Sequence, residues 1–254
     1  MTVAVQIANS QDALEASFAI RYQVFVEELR VLAQDAFPDH RESNAFDSLP
    51  TTVHILVRVD NRPAATVRLL LPNREVALRR GWDRGLAIEQ HFRLPAELTE
   101  NVGEITRSCV LPAYRRRSLP QMMWAKAVDV ARQHGIRTFV AEAYPETSEI
   151  AIVEGYCRIL AAAGLVSNVV RLIPRGGDPA VQNPGWSPIR TIDPREAVRQ
   201  LPPALKLFVK MGVVVCGPPL MTGDYRCVSL PILWDLAERT PEQCRILELG
   251  ARTL

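Results

Sequence analysis

The run Glu104-Ile105-Thr106-Arg107-Ser108-Cys109-Val110 sets a carboxylate and a guanidinium three residues apart inside an apolar alternation. A carboxylate can take a proton from an ammonium group, leaving an amine able to attack a carbonyl carbon. A guanidinium can orient that carboxylate or hold an anionic substrate group through two parallel hydrogen bonds. In an extended chain alternate side chains share a face, so Glu104 and Thr106 point one way, Ile105 and Arg107 the other. Joining Glu104 and Arg107 in one site requires a bulge between them; regular pleating divides their roles.

The elements that must position this strand follow in order. Val3 to Ala8 alternates as a strand, and Ser10 caps a helix whose apolar residues Leu14, Phe18, Tyr22, Phe25 and Leu29 recur at helical spacing. A polar loop runs from Pro38 to Pro50. Val53 to Val59 and Ala64 to Leu71 flank Asp60-Asn61-Arg62-Pro63 as a hairpin, and a less regular segment fills Pro72 to Asn101. The strand from Val102 to Leu111 leads through Pro112 to Pro120 into a helix over 121–134, ended by Gly135. A strand from Arg137 to Ala143 and a helix over 148–163 follow, an order that implies parallel pairing with a right-handed crossover.

Val169 to Ile173 reads as a strand, and the breaker-rich loop from Pro174 to Pro194 as a lid or partner surface. Arg195 to Met211 reads as a helix interrupted by Pro202-Pro203. Strands are expected at Val213 to Val215 and Cys227 to Leu233, with a terminal helix from Pro241. The class is α/β, with no internal repeat and one domain over residues 1–254.

Composition narrows the function. With 254 residues, 48% of them hydrophobic, the chain can fill one large core. A net charge of +2 gives no field for nucleic acid, although Arg79, Arg80, Arg84 and the run Arg115-Arg116-Arg117 are locally basic. The N-terminus lacks a charged-then-apolar leader, and no apolar run reaches the roughly 18 residues needed to span a bilayer. A cytoplasmic location is expected, with room for peripheral membrane contact. The five cysteines form no C-x-x-C pair and read as buried thiols; the four histidines show no metal spacing.

Ordered motifs across the first half of the chain now carry a resemblance. Arg21-Tyr22-Gln23-Val24-Phe25, Asn44-Ala45-Phe46-Asp47, Arg68 and Glu104-Ile105-Thr106-Arg107 occur in the order found in the acyl-homoserine lactone synthases, long-chain N-acyl amino acid synthases and ornithine lipid acyltransferases. The chain therefore resembles the GNAT superfamily of N-acyltransferases. Leu201-Pro202-Pro203-Ala204-Leu205, Cys216-Gly217-Pro218-Pro219 and Asp224 are similar to the lipid and amino acid acyltransferase branch.

The resemblance implies a three-layer α-β-α fold with a mixed, splayed central sheet, an extended C-terminal portion from about residue 174, and no permanently bound cofactor or metal. It implies transfer of a fatty acyl group from an acyl carrier protein or coenzyme A thioester to the amine of an amino acid or similar small molecule. Glu104 is the implied general base, assisted by Arg107 and Arg68. Arg21, Phe25, Asn44 and Asp47 would form the substrate side, with backbone amides near Ser108, Cys109 and Val110 meeting the oxyanion. Arg115, Arg116, Arg117 and Ser118 would hold the donor phosphate.

Three departures refine this expectation. The turn before the central helix, Arg115-x-x-Ser118-x-Pro120, lacks the glycines that bring backbone close to a coenzyme A pyrophosphate, and suits the single phosphate of a carrier-protein arm. Leu160 stands where many acetyltransferases carry a proton-donating tyrosine, with Tyr156 one turn earlier. Asn44 replaces the usual aspartate of the synthases. Two other readings stay open: a homoserine lactone synthase using S-adenosylmethionine, and a catalytically silent GNAT-like domain that binds a ligand or carrier.

Overall fold

Caps and left-handed turns set the ends of the elements in a computed structural model that describes residues 2–98, 101–115, 118–145, 147–176, 193–223, 225–237, 240 and 243–244. The chain order is β1 (Val3–Ile7), α1 (Gln11–Arg21), a π-helical stretch (Tyr22–Glu28), β2 (Thr52–Val59), β3 (Arg62–Leu70), α2 (Arg74–Arg80), β4 (Phe92–Arg93) and β5 (Val102–Val110). It continues with α3 (Leu119–Gln133), β6 (Thr138–Ala143), α4 (Ile150–Ala162), β7 (Ile173–Pro174), α5 (Pro194–Gln200), α6 (Pro203–Lys210), β8 (Val214–Val215), β9 (Leu220–Met221) and β10 (Val228–Asp235). No helix among the described residues is long and apolar enough to cross a membrane.

Two compact units form: described residues of Met1–Pro72, Gly103–Arg137 and Arg239–Leu254 make the first, those of Asn73–Val102 and Thr138–Glu238 the second. In the first unit the strands run β1-β2-β3-β5, each pair antiparallel. Asp60 and Asn61, at φ 47° and 66°, make the two-residue left-handed turn that suits the twist of the β2–β3 hairpin. Helix α1 lies against β2 and β3, and α3 lies against β1, β2 and β3. Ile55, Leu56, Val57, Val67, Leu69, Met123 and Ala127 are fully out of water in this unit.

In the second unit β10 pairs antiparallel with β6, β8 and β9, and β4 pairs with β7. Helix α2 is capped by the Asn73 side chain, which accepts the Val76 N–H at 3.0 Å. Gly85 is forced by a close approach: a Cβ there would lie 2.2 Å from the Asn73 carbonyl oxygen.

Several expectations from sequence are corrected. The first helix does not continue as an α-helix to Leu29; after Arg21 it widens, and the Leu29 N–H reaches back five residues to the Val24 carbonyl at 2.9 Å. Segment 72–101 contains α2. Residues 169–172 form no strand; instead Ser167 and Leu172 N–H groups bond the Val215 and Cys216 carbonyls. Pro202 and Pro203 separate two helices, α5 and α6, as the break in the pattern predicts. Most of the loop expected over 174–194, Asp224, and nearly all of the tail from Pro241 lie outside the described residues.

Candidate active site

The register of β3 against β5 changes partway along. Leu70 faces Glu104 and Arg68 faces Thr106, but Thr66 faces Cys109, so Val67 alone stands against both Arg107 and Ser108. Arg107 takes the extra residue's place in a left-handed conformation, φ 55°. For a residue with a Cβ that conformation costs on the order of 1–2 kcal/mol. Its effect is to break the alternation at the point where parity would turn Arg107 away from Glu104. Residues opposite one another share a face, so Glu104, Thr106 and Arg68 lie together, and Arg107 joins the group through Glu42.

The joining network is almost dry. Arg21, at the end of α1, donates from Nε to Glu42 Oε2. It also donates from Nη1 and Nη2 to Oδ1 and Oδ2 of Asp47, at 2.7 and 3.1 Å. Arg68 Nη1 donates to the same Asp47 Oδ1 at 2.7 Å and to Asn44 Oδ1 at 2.9 Å. Arg107 Nε donates to Glu42 Oε1 at 3.1 Å. The Asn44 backbone N–H closes the loop on Asp47 Oδ2 at 2.6 Å. Arg68 is 1% exposed and Glu104 2%. Nε and Nη2 of Arg68, both buried, have no hydrogen-bond partner among the described residues, so one edge of this guanidinium is unpaired.

Burial and neighbouring charge set the ionisation of the cluster. Burial alone would raise both carboxylates, but Arg107 and Arg21 beside Glu42, and Arg21 and Arg68 beside Asp47, hold each well below the usual carboxylate range. Burial would lower Arg21, yet Glu42 and Asp47 raise it. Arg68 is pulled down to about 10, first by burial and then by the charge of Arg107, against the raising influence of Asp47. His54, opposite Arg68 in the β2–β3 register, sits 3.2 Å from the Asp47 carbonyl oxygen, and burial lowers its pKa.

The other expected residues take varied places. Phe25 packs on an apolar cluster that includes Ala13, Ile20, Val24 and Cys109, whose thiol burial pushes up to about 12. Ser108 Oγ receives the Trp124 Nε1–H at 3.1 Å. The Val110 carbonyl accepts the Arg115 Nε–H at 3.1 Å. Ser118 precedes α3 without a side-chain cap bond, and Pro120 removes one amide from the first turn. Arg116 and Arg117 lie outside the described residues.

Glu42 and His54 belong to the cluster although neither stood out in sequence. Glu42 sits in a polar loop that reads as solvated, and the chain offers no periodic signal for its burial. His54 lies within the apolar run Val53 to Val59, which is the one hint that its ring faces inward.

The second unit builds a separate polar group. Glu142 on β6 accepts the Ser229 Oγ–H at 2.5 Å and lies 3.0 Å from His91 Nδ1. Glu89, fully buried, accepts backbone N–H groups of Asp83, Arg84 and Leu86 at 2.5 to 3.0 Å.

Comparison with known proteins sets likenesses beside this geometry. The family of the acetyltransferase (GNAT) domain matches residues 20–125. Over 245 residues the chain is 28% identical to the L-ornithine N(alpha)-acyltransferase of Rhizobium meliloti (strain 1021), covering 90% of this chain and 78% of the relative. Over 230 residues it is 25% identical to the L-ornithine N(alpha)-acyltransferase of Agrobacterium fabrum (strain C58 / ATCC 33970), with coverages of 84% and 74%. In fold it is similar to BjaI, a CoA-dependent acyl-homoserine lactone synthase solved with SAM and isopentyl-CoA. That likeness has a TM-score of 0.56 at 15% identity and covers 98% of this chain and 90% of that one.

Proposed function

We infer that this chain, an acyltransferase of the GNAT family, moves a fatty acyl group from a carrier-protein or coenzyme A thioester to the α-amine of an amino acid. The relatives' name, L-ornithine N(alpha)-acyltransferase, supports a dibasic amino acid as the acceptor. The observation that carries the reading is the register shift at Arg107: beside it Glu104 and Arg68 share one buried face of the β3–β5 pair, and Glu42 ties Arg107 to the same charge cluster.

Glu104 takes a proton from the acceptor ammonium, directly or through one water. The amine nitrogen then attacks the thioester carbonyl; a C–N bond forms, and collapse of the tetrahedral intermediate breaks the C–S bond. The nitrogen gives up a second proton, which the departing sulfur takes, so the products are the amide and the free thiol, and Glu104 returns its own proton to water. The unpaired edge of Arg68, with Arg107, suits the acceptor carboxylate. Arg21, Glu42, Asp47 and Asn44 position these two guanidiniums without touching the reacting atoms. Backbone amides near Ser108 to Val110 serve the oxyanion, and Arg115, with the start of α3, the donor phosphate.

Replacing Glu104 with Gln is the test. The expected result is a loss of about 10²- to 10⁴-fold in kcat/KM with an unchanged Tm, measured with acylated carrier protein and L-ornithine by mass spectrometry of the amide. Full activity in that variant would remove Glu104 from the mechanism. No amide with any amino acid would sink the acyltransfer reading, and a lactone formed from S-adenosylmethionine would redirect it to the synthases.

A further inference from the structure

Arg115, between β5 and α3, is held by its own chain along the edge with which an arginine grips a phosphate. Its Nη1 and Nη2 donate to Oε1 and Oε2 of Glu28 at 2.6 Å each, while Nε is spent on the Val110 carbonyl. Glu28 is the last residue of the π-helical stretch, so the wide turns after α1 end on a carboxylate aimed at this guanidinium. The two side chains are 43% and 31% exposed, open to a solute arriving from water.

Resting on the donor-phosphate role given to Arg115 above, we propose that Glu28 is a specificity-determining residue for the acyl donor. It selects the single phosphodiester of a carrier-protein arm against the more highly charged coenzyme A.

Any donor phosphate that reaches Arg115 meets the Glu28 carboxylate at the same guanidinium. A phosphodiester with one negative charge shares the arginine with modest repulsion. Coenzyme A adds a diphosphate and a ribose phosphate, and each extra charge near a carboxylate lowers affinity several-fold unless donors offset it. Among the described residues the start of α3 offers few: Pro120 has no N–H, and the Met122 N–H already bonds the Ser118 carbonyl at 3.1 Å; the sequence has no glycine in residues 111–120. The Glu28–Arg115 pair is a surface contact of small value to the fold, so recognition can be changed with little change in stability.

The experiment compares wild type with Glu28→Gln, using palmitoyl-acyl carrier protein and palmitoyl-coenzyme A as donors, and titrates free coenzyme A by calorimetry. The variant is expected to raise the coenzyme A to carrier-protein ratio of kcat/KM about fivefold, through KM, and to tighten coenzyme A by a similar factor. Both changes should fade as salt rises, and Glu28→Asp should keep the wild-type ratio. An unchanged ratio together with an unchanged Kd for coenzyme A overturns the proposal. If neither donor is consumed even by wild type, the acyltransfer reading fails, and the coenzyme A titration alone still decides the role of Glu28.

Discussion

Asp47 and Glu89 are both carboxylates taken out of water, and they are satisfied by opposite means. Asp47 faces the guanidiniums of Arg21 and Arg68, each from a different element, and Glu42 beside it joins Arg21 to Arg107. Glu89 instead collects backbone N–H groups from the turn that follows α2. A carboxylate spent on backbone amides can only hold the chain in place. One shared among side-chain guanidiniums leaves donors over, as the unpaired Nε and Nη2 of Arg68 show. Burial of a charge therefore does not mark a site; the nature of its partner does.

Isosteric substitutions sharpen that contrast. Asp47→Asn removes the carboxylate paired with the buried Arg68 and leaves Arg21 with Glu42 alone, and it is expected to cost about 3–5 kcal/mol in urea denaturation, with loss of turnover. Glu89→Gln keeps an acceptor oxygen and weakens charge-assisted bonds, so about 1–3 kcal/mol is expected, with kcat/KM unchanged in the surviving folded protein. Equal costs, or lost activity in Glu89→Gln, would erase the distinction.

Acid provides a finer probe. The folded pKa values of Glu42 and Asp47 lie below their unfolded ones, so their stabilisation is complete above the ordinary carboxylate range, near pH ~4, and is lost as pH falls through the folded values. His54 is also depressed: below about pH 6.5 the unfolded chain takes up a proton that the folded ring refuses, and stability declines. Denaturation midpoints from pH 7 to pH 3 should thus fall in two stages, and Asp47→Asn should flatten the lower one. A flat wild-type profile would contradict the assigned charges.

The sequence made the frame of the site readable. Alternation marked β5, the Asp60-Asn61 pair marked the β2–β3 turn, and Gly135 and Gly164 marked the ends of α3 and α4, because each signal is local. The parity conflict between Glu104 and Arg107 posed the choice between a bulge that joins them and regular pleating that divides their roles. The position of the bulge was not readable, because the αL turn falls on arginine rather than glycine and is held by Glu42, 65 residues away. Helix α2 did carry its signals, Asn73 before it and Gly81 after it, but its short apolar pattern hid them. The change from α to π turns after Arg21 left no mark, since Tyr22, Phe25 and Leu29 fit an α-helical spacing equally well.

One consequence concerns the order of folding. The contacts Arg21–Asp47, Arg68–Asp47 and Arg107–Glu42 join residues 26, 21 and 65 positions apart, so the ion network can close only after the loops between them have been drawn in. Its members are therefore expected to lie outside the rate-limiting nucleus. Asp47→Asn should move the unfolding arm of a chevron plot and leave the folding arm in place, which makes the charge cluster a brake on opening rather than a guide to assembly.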